Sequence, residues 1–428
     1  MSGLGRFAVL ASALALAAPA FAQAGNVVSA WNEIAVNTVV AQPPISSSAP
    51  PAGVFLAMVQ GAVYGAVNAT DRHGKPYLIE RSFPKASTDA AAATAAYTVL
   101  AALFPSASLD TAYAASLQAV APGASKDQGI EVGTMAAAAM LAQGHDSRTV
   151  IGCAFGSGAA GEWTPLAGAT AAALCDPNVW VAYAKPFVLS SPSQFRGAGP
   201  YALSSPQYAA DYNEVKKIGA VNSATRTTDQ THAAAFWQTN PAVGYNALAR
   251  RLVGDLSLGV ADSARLFAMI DLSAADAIIN AWNDKYYFNF WRPVTAIRSA
   301  DYGNTASESD PTWTPLFNPG LAPSVAGAGP PLITPPYPDY LSGATTYASA
   351  TMNAFASFFG RDDIGLFYVT SSRFPGEQRW FDSFSDVTNE IVEARIWAGI
   401  HFRHADEDAA VLGRNVERYV DTHLFASH

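Results

Sequence analysis

Nine alanine-rich segments, each with apolar residues at helical spacing, constrain the fold of this 428-residue chain more than any other feature. Few stretches show the alternation of apolar and polar residues that is typical of strands. The pattern predicts an all-α protein, and because half of the residues are hydrophobic, a large buried core is feasible. The nine segments cover residues 53–69, 88–103, 109–119, 130–143, 205–218, 243–255, 261–282, 344–360 and 383–400.

Proline- and glycine-rich connections separate these segments. Two of them, at residues 154–168 and 187–206, are loops by composition. The longest covers residues 303–340 and contains nine prolines between Pro311 and Pro338. A structureless connection of this length in a compact domain is usually functional. We therefore expect it to contribute to a site.

The first 22 residues have the features of a secretory signal peptide. Arg6 supplies a positive charge, residues 7–18 form a short apolar stretch, and Ala20-Phe21-Ala22 is a small-x-small cleavage pattern. This apolar stretch is too short for a membrane span, which needs about 20 residues, and no later stretch reaches that length without polar interruption, so we predict no stable span. The mature chain is expected to be secreted or periplasmic. The alternative is an N-terminal anchor helix that stays attached.

Charge and cysteine content exclude several kinds of function. The formal net charge is −9 and no run of five Lys or Arg residues occurs, so nucleic acid is not an expected partner. Cys153 and Cys175 are the only cysteines, which excludes a thiolate metal site. In an oxidising compartment this pair is compatible with a disulfide, and also with two separate buried thiols.

Two cations surrounded by aromatic residues form the first candidate site motif, Lys285-Tyr-Tyr-Phe-Asn-Phe-Trp-Arg292-Pro293. On a continuous helix, a spacing of seven places Lys285 and Arg292 on one face, two turns apart. Such a pair in apolar surroundings is costly unless an anion lies between the charges. Pro293 indicates a break just after the arginine. The alternative is an amphipathic helix whose cations reach solvent.

A serine and a glycine form the second motif, at the end of the proline-rich loop. Ser342 and Gly343 precede an alanine-rich helical segment, which is the composition of a helix start. Glycine lets a ligand approach the backbone closely, and the free amides of a first helical turn suit an oxyanion. The alternative is an ordinary N-cap.

The third motif contains Arg395 and His401. A spacing of six places them about 120° apart on an ideal helix. Both side chains reach one site only if the helix ends or bends near Gly399. The alternative for His401 is a core histidine with its hydrogen bonds satisfied.

Together and in this order, Lys-x6-Arg-Pro, Ser-Gly and Arg-x5-His resemble the signature of the vanadium-dependent haloperoxidases and their relatives, the type 2 phosphatidic acid phosphatases and bacterial acid phosphatases. Residues 281–298 and 383–416 are similar to secreted bacterial members of the haloperoxidase branch, and weaker likeness covers the N-terminal half. The resemblance implies two halves that are each like a four-helix bundle. We assign them to residues 23–230 and 231–428, with the oxyanion site in the second.

The resemblance also implies a bound vanadate, with phosphate able to occupy the same site. Lys285, Arg292 and Arg395 would neutralise the equatorial oxygens, and Ser342 and the Gly343 amide would donate hydrogen bonds. His401 would supply the axial nitrogen to vanadium. Three cations are what a multiply charged anion in an apolar pocket requires, and arginine forks match its oxygens.

The sequence departs from the family at two positions. Ala344 replaces the family's acid–base histidine, and the possible substitutes are Thr345, Thr346, Tyr347 and His404. The family also places an aspartate four residues after the axial histidine, where this chain has an alanine. We expect Asp406 to hold the His401 imidazole instead, with Asp408 as the fallback.

The function that this resemblance implies is halide oxidation by hydrogen peroxide, with an organic acceptor as a further possible partner. Trp282 and Tyr337 are candidates to line a halide pocket, and simple packing is the alternative for both. A second hypothesis is an acid phosphatase that hydrolyses phosphomonoesters through a phosphohistidine at His401. A third, suggested by Ala344, is a homologue that binds an oxyanion without catalysing either reaction.

Overall fold

The computed structural model describes residues 25–43, 48–148, 156–166, 176–299, 302–318, 325, 327–329 and 332–425. Within these residues the regular structure consists of thirteen α-helices, a 3-10 helix (Val179–Tyr183), a π-helical turn (Asp421–Phe425) and one two-stranded antiparallel sheet, so the predicted helical fold class is confirmed. The strands are β1 (Asp363–Ser371) and β2 (Phe374–Ser383). The helices are α1 (Val27–Val40), α2 (Ala49–Thr70), α3 (Thr88–Leu103), α4 (Ala107–Gln118), α5 (Ala124–Ala142), α6 (Pro206–Ile218), α7 (Thr228–Phe236), α8 (Pro241–Asp255), α9 (Val260–Phe288), α10 (Pro293–Arg298), α11 (Gly343–Phe359), α12 (Phe384–Trp397) and α13 (Arg403–Val420).

A helix forms at each of the nine alanine-rich segments, and capping residues set several of the helix starts. The side chains of Ser87, Ser106 and Ser205 each accept a hydrogen bond from a backbone N–H in the first turn of α3, α4 and α6. At α7, Thr227 and Gln230 form a reciprocal capping box. Four helices, α1, α7, α10 and α13, lie outside the predicted segments.

Helix α13 shows why such helices were missed. Its sequence is rich in charged residues, and most of its apolar residues form a single stripe. That stripe is buried and consists of Ala405, Ala409, Leu412, Val416 and Val420. Because α13 packs against α9 and α11, one apolar stripe at helical spacing is sufficient to attach it to the core.

The hairpin of β1 and β2 was also not predicted. Tyr368 on β1 lies opposite Trp380 on β2, with ring centroids 4.9 Å apart. A register shift between Asp363 and Phe367 interrupts the regular alternation along β1. Such an irregularity removes the period-two pattern by which a strand is recognised in sequence.

Helix α9 contacts helices from both the N-terminal and the C-terminal parts of the chain. It is 29 residues long, its central part is buried, and it packs against α2 as well as against α11 and α13. Helices α2, α3 and α5 also pack on one another. The division into halves at residues 23–230 and 231–428 stays a prediction, and α9, which lies in the second half, also packs against α2 of the first.

Among the described helices, α2 alone has the length and hydropathy needed to cross a membrane. Its most apolar stretch is completely buried inside the protein. A core helix of a globular protein meets the same criteria, so α2 is weak support for a membrane span.

Candidate oxyanion site

Lys285 and Arg292 reach one site, but they do not share a helix face as the sequence predicts. Helix α9 ends just before Asn289, which adopts the left-handed conformation with a φ of 48°. The chain then turns, and Arg292 occupies the N-cap position of α10. The backbone N–H of Trp291 fixes this turn by donating to the Gly161 carbonyl at 2.9 Å. The two cations therefore converge through a chain reversal.

The last residues of the proline-rich loop bind both cations through backbone carbonyl groups. Nζ of Lys285 donates to the carbonyl oxygens of Pro338 at 2.8 Å and Asp339 at 3.0 Å. Nε of Arg292 donates to the carbonyl oxygen of Tyr337 at 2.8 Å. Both cationic side chains are fully buried. The loop thus fixes their positions.

A helix end allows Arg395 and His401 to approach the same region. Helix α12 ends at Trp397, and Gly399 follows with a φ of +75°. A Cβ atom on Gly399 would lie 2.5 Å from the carbonyl oxygen of Gly219, so this turn requires glycine. The break occurs where the six-residue spacing of Arg395 and His401 requires one.

His401 lies between Arg292 and Asp339. Nη1 of Arg292 is 3.0 Å from Nε2 of the imidazole, and Nδ1 is 2.8 Å from Oδ1 of Asp339. A guanidinium group can only donate hydrogen bonds, so Nε2 is the acceptor and Nδ1 carries the proton. This tautomer leaves the ring's lone pair on Nε2, where it accepts the Arg292 N–H.

Asp339, rather than Asp406, is the carboxylate beside His401. Oδ1 of Asp406 instead accepts a hydrogen bond from the Thr345 hydroxyl at 2.5 Å. The structure therefore corrects the prediction that Asp406 holds the imidazole. Asp339 was given no role in the sequence analysis, although a carboxylate three residues before Ser342, in a proline-rich loop, was an available signal.

Ser342 and Gly343 begin α11, as the sequence predicts. The Ser342 hydroxyl does not cap the helix backbone but donates to the Thr345 hydroxyl at 3.3 Å. A Cβ atom on Gly343 would lie 2.4 Å from the ring of Trp282. The close approach that this glycine allows is therefore that of an indole ring, whereas the sequence suggested a ligand.

Two arginine side chains in this region have unused hydrogen-bond donors. Nη1 of Arg395 donates to Oε1 of Gln238 at 2.7 Å. Nε of Arg395 and Nη2 of Arg292, however, are buried without a hydrogen-bond partner among the described residues. A buried, unsatisfied and charged donor is destabilising. Both carboxyl oxygens of Asp339 and Oδ2 of Asp406 also lack a hydrogen-bond partner there, so the region holds unused acceptors together with two donors that suit a bound anion.

Burial controls the protonation of the site. It lowers the pKa of His401 well below the usual value, and Arg292 and Lys285 act in the same direction. It also lowers the pKa of Lys285. Burial raises the pKa of Asp339 to about 8 and that of Asp406 to about 6. At neutral pH the imidazole is thus uncharged and the Asp339 carboxyl is largely protonated, which favours binding of an anion.

A cavity of about 720 Å³ opens onto this region. Its wall includes Arg395, Gly343 and Ala344 of the predicted site, and Arg373 from the turn between β1 and β2. No Asp or Glu residue is among the described residues that line it. The wall therefore carries positive charge only, which suits the entry of small anions.

Trp282 and Tyr337, the candidates for a halide pocket, both line this cavity, with ring centroids 5.2 Å apart. The indole N–H of Trp282 donates to Oδ2 of Asp176 at 2.9 Å, and the ring packs on Gly343. Trp282 therefore has a packing role as well as a place in the cavity wall.

Other residues selected from the sequence lie elsewhere. Nε2 of His404 is 3.0 Å from the Gly199 carbonyl oxygen, and its ring stacks on Tyr201. Asp408, the fallback partner of His401, lies 3.3 Å from His404 instead. The signal peptide and the cysteine pair 153 and 175 fall outside the described residues. Within the described part of the chain, no three His, Cys, Asp or Glu side chains are arranged to hold a bare metal ion.

Comparison with known proteins agrees with this geometry. Residues 265–426, which contain every residue predicted for the oxyanion site, match the family model of the VCPO second helical-bundle domain. The chain is also 25% identical over 286 residues to vanadium chloroperoxidase from Curvularia inaequalis. These matches support the vanadium haloperoxidase superfamily, and the family model supports it through residues 265–426. The match to the Curvularia enzyme covers 52% of this chain and 46% of that protein, so the chain spans about half the length of the curated relative.

Solved structures show the same vanadium haloperoxidase fold. The crystal structure of a bacterial vanadium-dependent iodoperoxidase aligns with a TM-score of 0.74 and 20% identity, covering 94% of this chain and 97% of that chain. A bacterial vanadium-dependent chloroperoxidase in its apo form aligns with a TM-score of 0.62 and 16% identity, covering 86% and 93%. At these identities the likeness establishes the fold alone.

Proposed function

We propose that this protein is an exported vanadium-dependent haloperoxidase that oxidises a halide with hydrogen peroxide at a vanadate centre bound to His401. One observation carries the proposal within the superfamily. Buried guanidinium donors of Arg292 and Arg395 have no partner among the described residues, and a neutral imidazole beside Arg292 presents its lone pair on Nε2. Export rests on the composition of residues 1–22.

The residues present fit an oxyanion such as vanadate. Unpartnered guanidinium N–H groups match charged oxygens, to which they form short and strong hydrogen bonds. The Ser342 hydroxyl and the amide of Gly343 lie at the start of α11, where backbone donors favour an anion. His401 remains neutral, as a metal-ligating imidazole must be.

Each residue has a distinct role in this proposal. Lys285, Arg292 and Arg395 would neutralise the charge of the oxyanion, and His401 would supply a nitrogen ligand. Asp339, whose Oδ1 lies 2.8 Å from Nδ1, would orient the imidazole ring. When bound, vanadate acts as a Lewis acid that activates peroxide for attack by halide. The positively charged cavity wall admits the halide.

Ala344 bears on the two alternative functions, an acid phosphatase and an oxyanion-binding homologue without activity. A phosphatase with a phosphohistidine at His401 must protonate a leaving alkoxide, and alanine removes the group that would do so. The same residue is the observation that favours an oxyanion-binding homologue without activity. In both alternatives the buried arginines would still bind phosphate or vanadate.

Reconstitution with orthovanadate tests the proposal. The loaded protein should brominate a phenolic dye in the presence of peroxide and bromide. His401→Ala should abolish this activity, whereas His232→Ala should not, because His232 pairs with Glu377 outside the site. Hydrolysis of an aryl phosphate that vanadate inhibits would favour the phosphatase instead. Vanadate binding with neither activity would favour the inactive homologue.

A further inference from the structure

Ala344 leaves the proposed haloperoxidase without the histidine that transfers protons at the bound oxyanion. Two neighbouring hydroxyl groups that could replace it are already engaged. Thr345 donates to Asp406 at 2.5 Å, and Thr346 donates to the Ser342 carbonyl oxygen at 2.8 Å. Neither threonine lines the cavity onto which Ala344 opens.

The other two candidates, Tyr347 and His404, are also absent from the cavity wall. The Tyr347 ring packs so closely on Gly53 that a Cβ atom there would lie 3.0 Å from it. His404 stacks on Tyr201 and contacts the Gly199 carbonyl oxygen. Thr345, Thr346 and His404 are thus engaged with other groups, and Tyr347 packs against Gly53.

Three titratable side chains occur among the described residues of the cavity wall: Tyr337, Arg373 and Arg395. Guanidinium groups stay protonated throughout the physiological pH range, so they do not cycle a proton. Tyr337 is the one residue of this described wall whose proton can be both given up and regained.

Contacts with the cationic residues hold the Tyr337 ring at the site. Its centroid is 5.0 Å from Nζ of Lys285 and 5.0 Å from Cζ of Arg292. The backbone carbonyl of Tyr337 accepts from the same arginine. The phenol is thus fixed next to the donors that the oxyanion would use.

We propose that Tyr337 is the acid–base group of this site and donates its hydroxyl proton to an oxygen of the bound oxyanion, in place of the histidine absent at position 344. The inference rests on the proposed function. The phenol O–H bond breaks, the proton moves to the oxyanion, and the electron pair stays on the phenolate oxygen beside the Arg292 guanidinium. A proton from water, reached through the cavity, restores the phenol.

The surroundings of Tyr337 act on its acidity in opposite directions. Burial raises the pKa of the phenol, whereas Arg292 and Arg395 lower it by stabilising the phenolate. A phenol is less well matched to neutral pH than an imidazole, so Tyr337 should be a slower proton donor than the histidine it replaces.

The first test is a titration of Tyr337 itself. Tyrosinate absorbance is measured against pH for the wild type and for Tyr337→Phe, each with and without vanadate, and the difference isolates one phenol. Bound vanadate should raise the pKa of this phenol, because a nearby negative charge disfavours the phenolate. A phenol that titrates at the same pH with and without vanadate would overturn the inference.

The second test measures halide oxidation. Tyr337→Phe should lower turnover by about 10- to 100-fold while vanadate affinity, measured by calorimetry, stays within about threefold, roughly the loss of a single weak hydrogen bond. Tyr347→Phe is the matched control, a buried tyrosine outside the cavity wall, and should keep full turnover. Ala344→His should raise the turnover of Tyr337→Phe by a larger factor than it raises that of the wild type, whereas a merely structural role for the tyrosine predicts the same factor in both.

The outcomes separate the inference from the function on which it rests. If the wild type binds no vanadate, or binds it without oxidising halide, both the proposed function and the role of Tyr337 are wrong. If the wild type oxidises halide and Tyr337→Phe keeps full activity, only the role of Tyr337 is wrong. A gain from Ala344→His that is no larger in Tyr337→Phe than in the wild type also overturns that role, since the loss would then indicate damaged packing.

Discussion

Arg395 and Arg403 lie on either side of His401, yet their surroundings differ completely. Arg403 is partly exposed and forms paired hydrogen bonds with two carboxylates, Glu214 at 2.7 and 2.8 Å and Glu393 at 2.7 and 3.1 Å. Arg395 is buried, with a neutral Gln238 as its hydrogen-bonded partner and Nε unsatisfied. One arginine has its charge neutralised by the protein, and the other keeps its charge available.

The pKa values of the two arginines are shifted in opposite directions. Hydrogen bonds with Glu214 and Glu393 raise the pKa of Arg403 despite its partial burial. Burial lowers the pKa of Arg395, since no carboxylate forms a direct pair with it among the described residues. A fold stabilises an unneutralised buried cation only at a cost. The comparison therefore shows which cations serve the structure and which serve a bound anion.

The largest expected effect is on vanadate binding by Arg395→Ala. Removing a buried donor that pairs with an anion should weaken binding by about a hundredfold or more. Isothermal calorimetry with orthovanadate measures this change directly. Affinity equal to that of the wild type would show that Arg395 does not contact the anion, and the contrast with Arg403 would lose its meaning.

A smaller effect is expected from Ala344→His, which adds a titratable group to the cavity wall beside these cations. Turnover in bromide oxidation should rise by at least about tenfold, within the usual range of general acid–base catalysis. Ala344→Asn, which adds a polar side chain without a group that titrates near neutrality, should give no such gain. An equal gain from both variants would mean that the histidine acts through packing or polarity rather than proton transfer.

The residues of the candidate oxyanion site could be identified from the sequence because their motifs are local. Lys285, Arg292, Ser342, Arg395 and His401 were each recognisable from neighbouring residues, and the structure brings them together. Their relative placement was less predictable. The turn after α9 depends on the left-handed Asn289 and on pairing with residues 161–163, which are remote in sequence.

The partners of these residues were harder to predict for the same reason. Asp339 reaches His401, and Gln238 reaches Arg395, through contacts between segments 62 and 157 residues apart. No periodicity or motif records such a contact. The amphipathic α13 and the irregular strand β1 were missed on different grounds, since each departs from the alanine-rich helical pattern that identified the other elements.

Arg250 is intermediate between Arg395 and Arg403, because a chain of hydrogen bonds connects it to a carboxylate without direct contact. This chain gives a prediction about the pH dependence of stability. Nη1 of Arg250 donates to Asn32 at 2.6 Å, Asn32 donates to Asn246 at 2.5 Å, and Asn246 donates to Asp271 at 3.0 Å. Two amides thus separate the cation from the carboxylate. Burial raises the pKa of Asp271 to about 7, and the hydrogen bond from Asn246 and the charge of Arg250 oppose this only in part.

The sign of the resulting pH dependence follows from this raised pKa. Between about pH 4 and pH 7 the folded state holds the Asp271 proton more tightly than the unfolded state does. The free energy of unfolding that this group contributes is therefore greatest at low pH and is lost as pH rises through about 7. Asp271→Asn should reduce the fall in melting temperature across this range, whereas Glu131→Gln, an exposed change, should not. Parallel melting curves for the wild type and Asp271→Asn would contradict the assignment.

The smallest effect on binding is expected for Arg403→Ala. This arginine follows His401 by only two residues, so proximity alone would predict a loss of vanadate affinity. Four of its five N–H donors are occupied by Glu214 and Glu393, however, and Glu407 lies 3.7 Å from Nη1, so its charge is neutralised by carboxylates. The variant should therefore bind vanadate within about twofold of the wild type, a free-energy change well below that of one hydrogen bond, while its free energy of unfolding falls by about 1 kcal/mol, the scale of partly exposed ion pairs. If Arg403→Ala weakened binding as much as Arg395→Ala, the state of a cation's hydrogen bonds would no longer distinguish a binding arginine from a structural one.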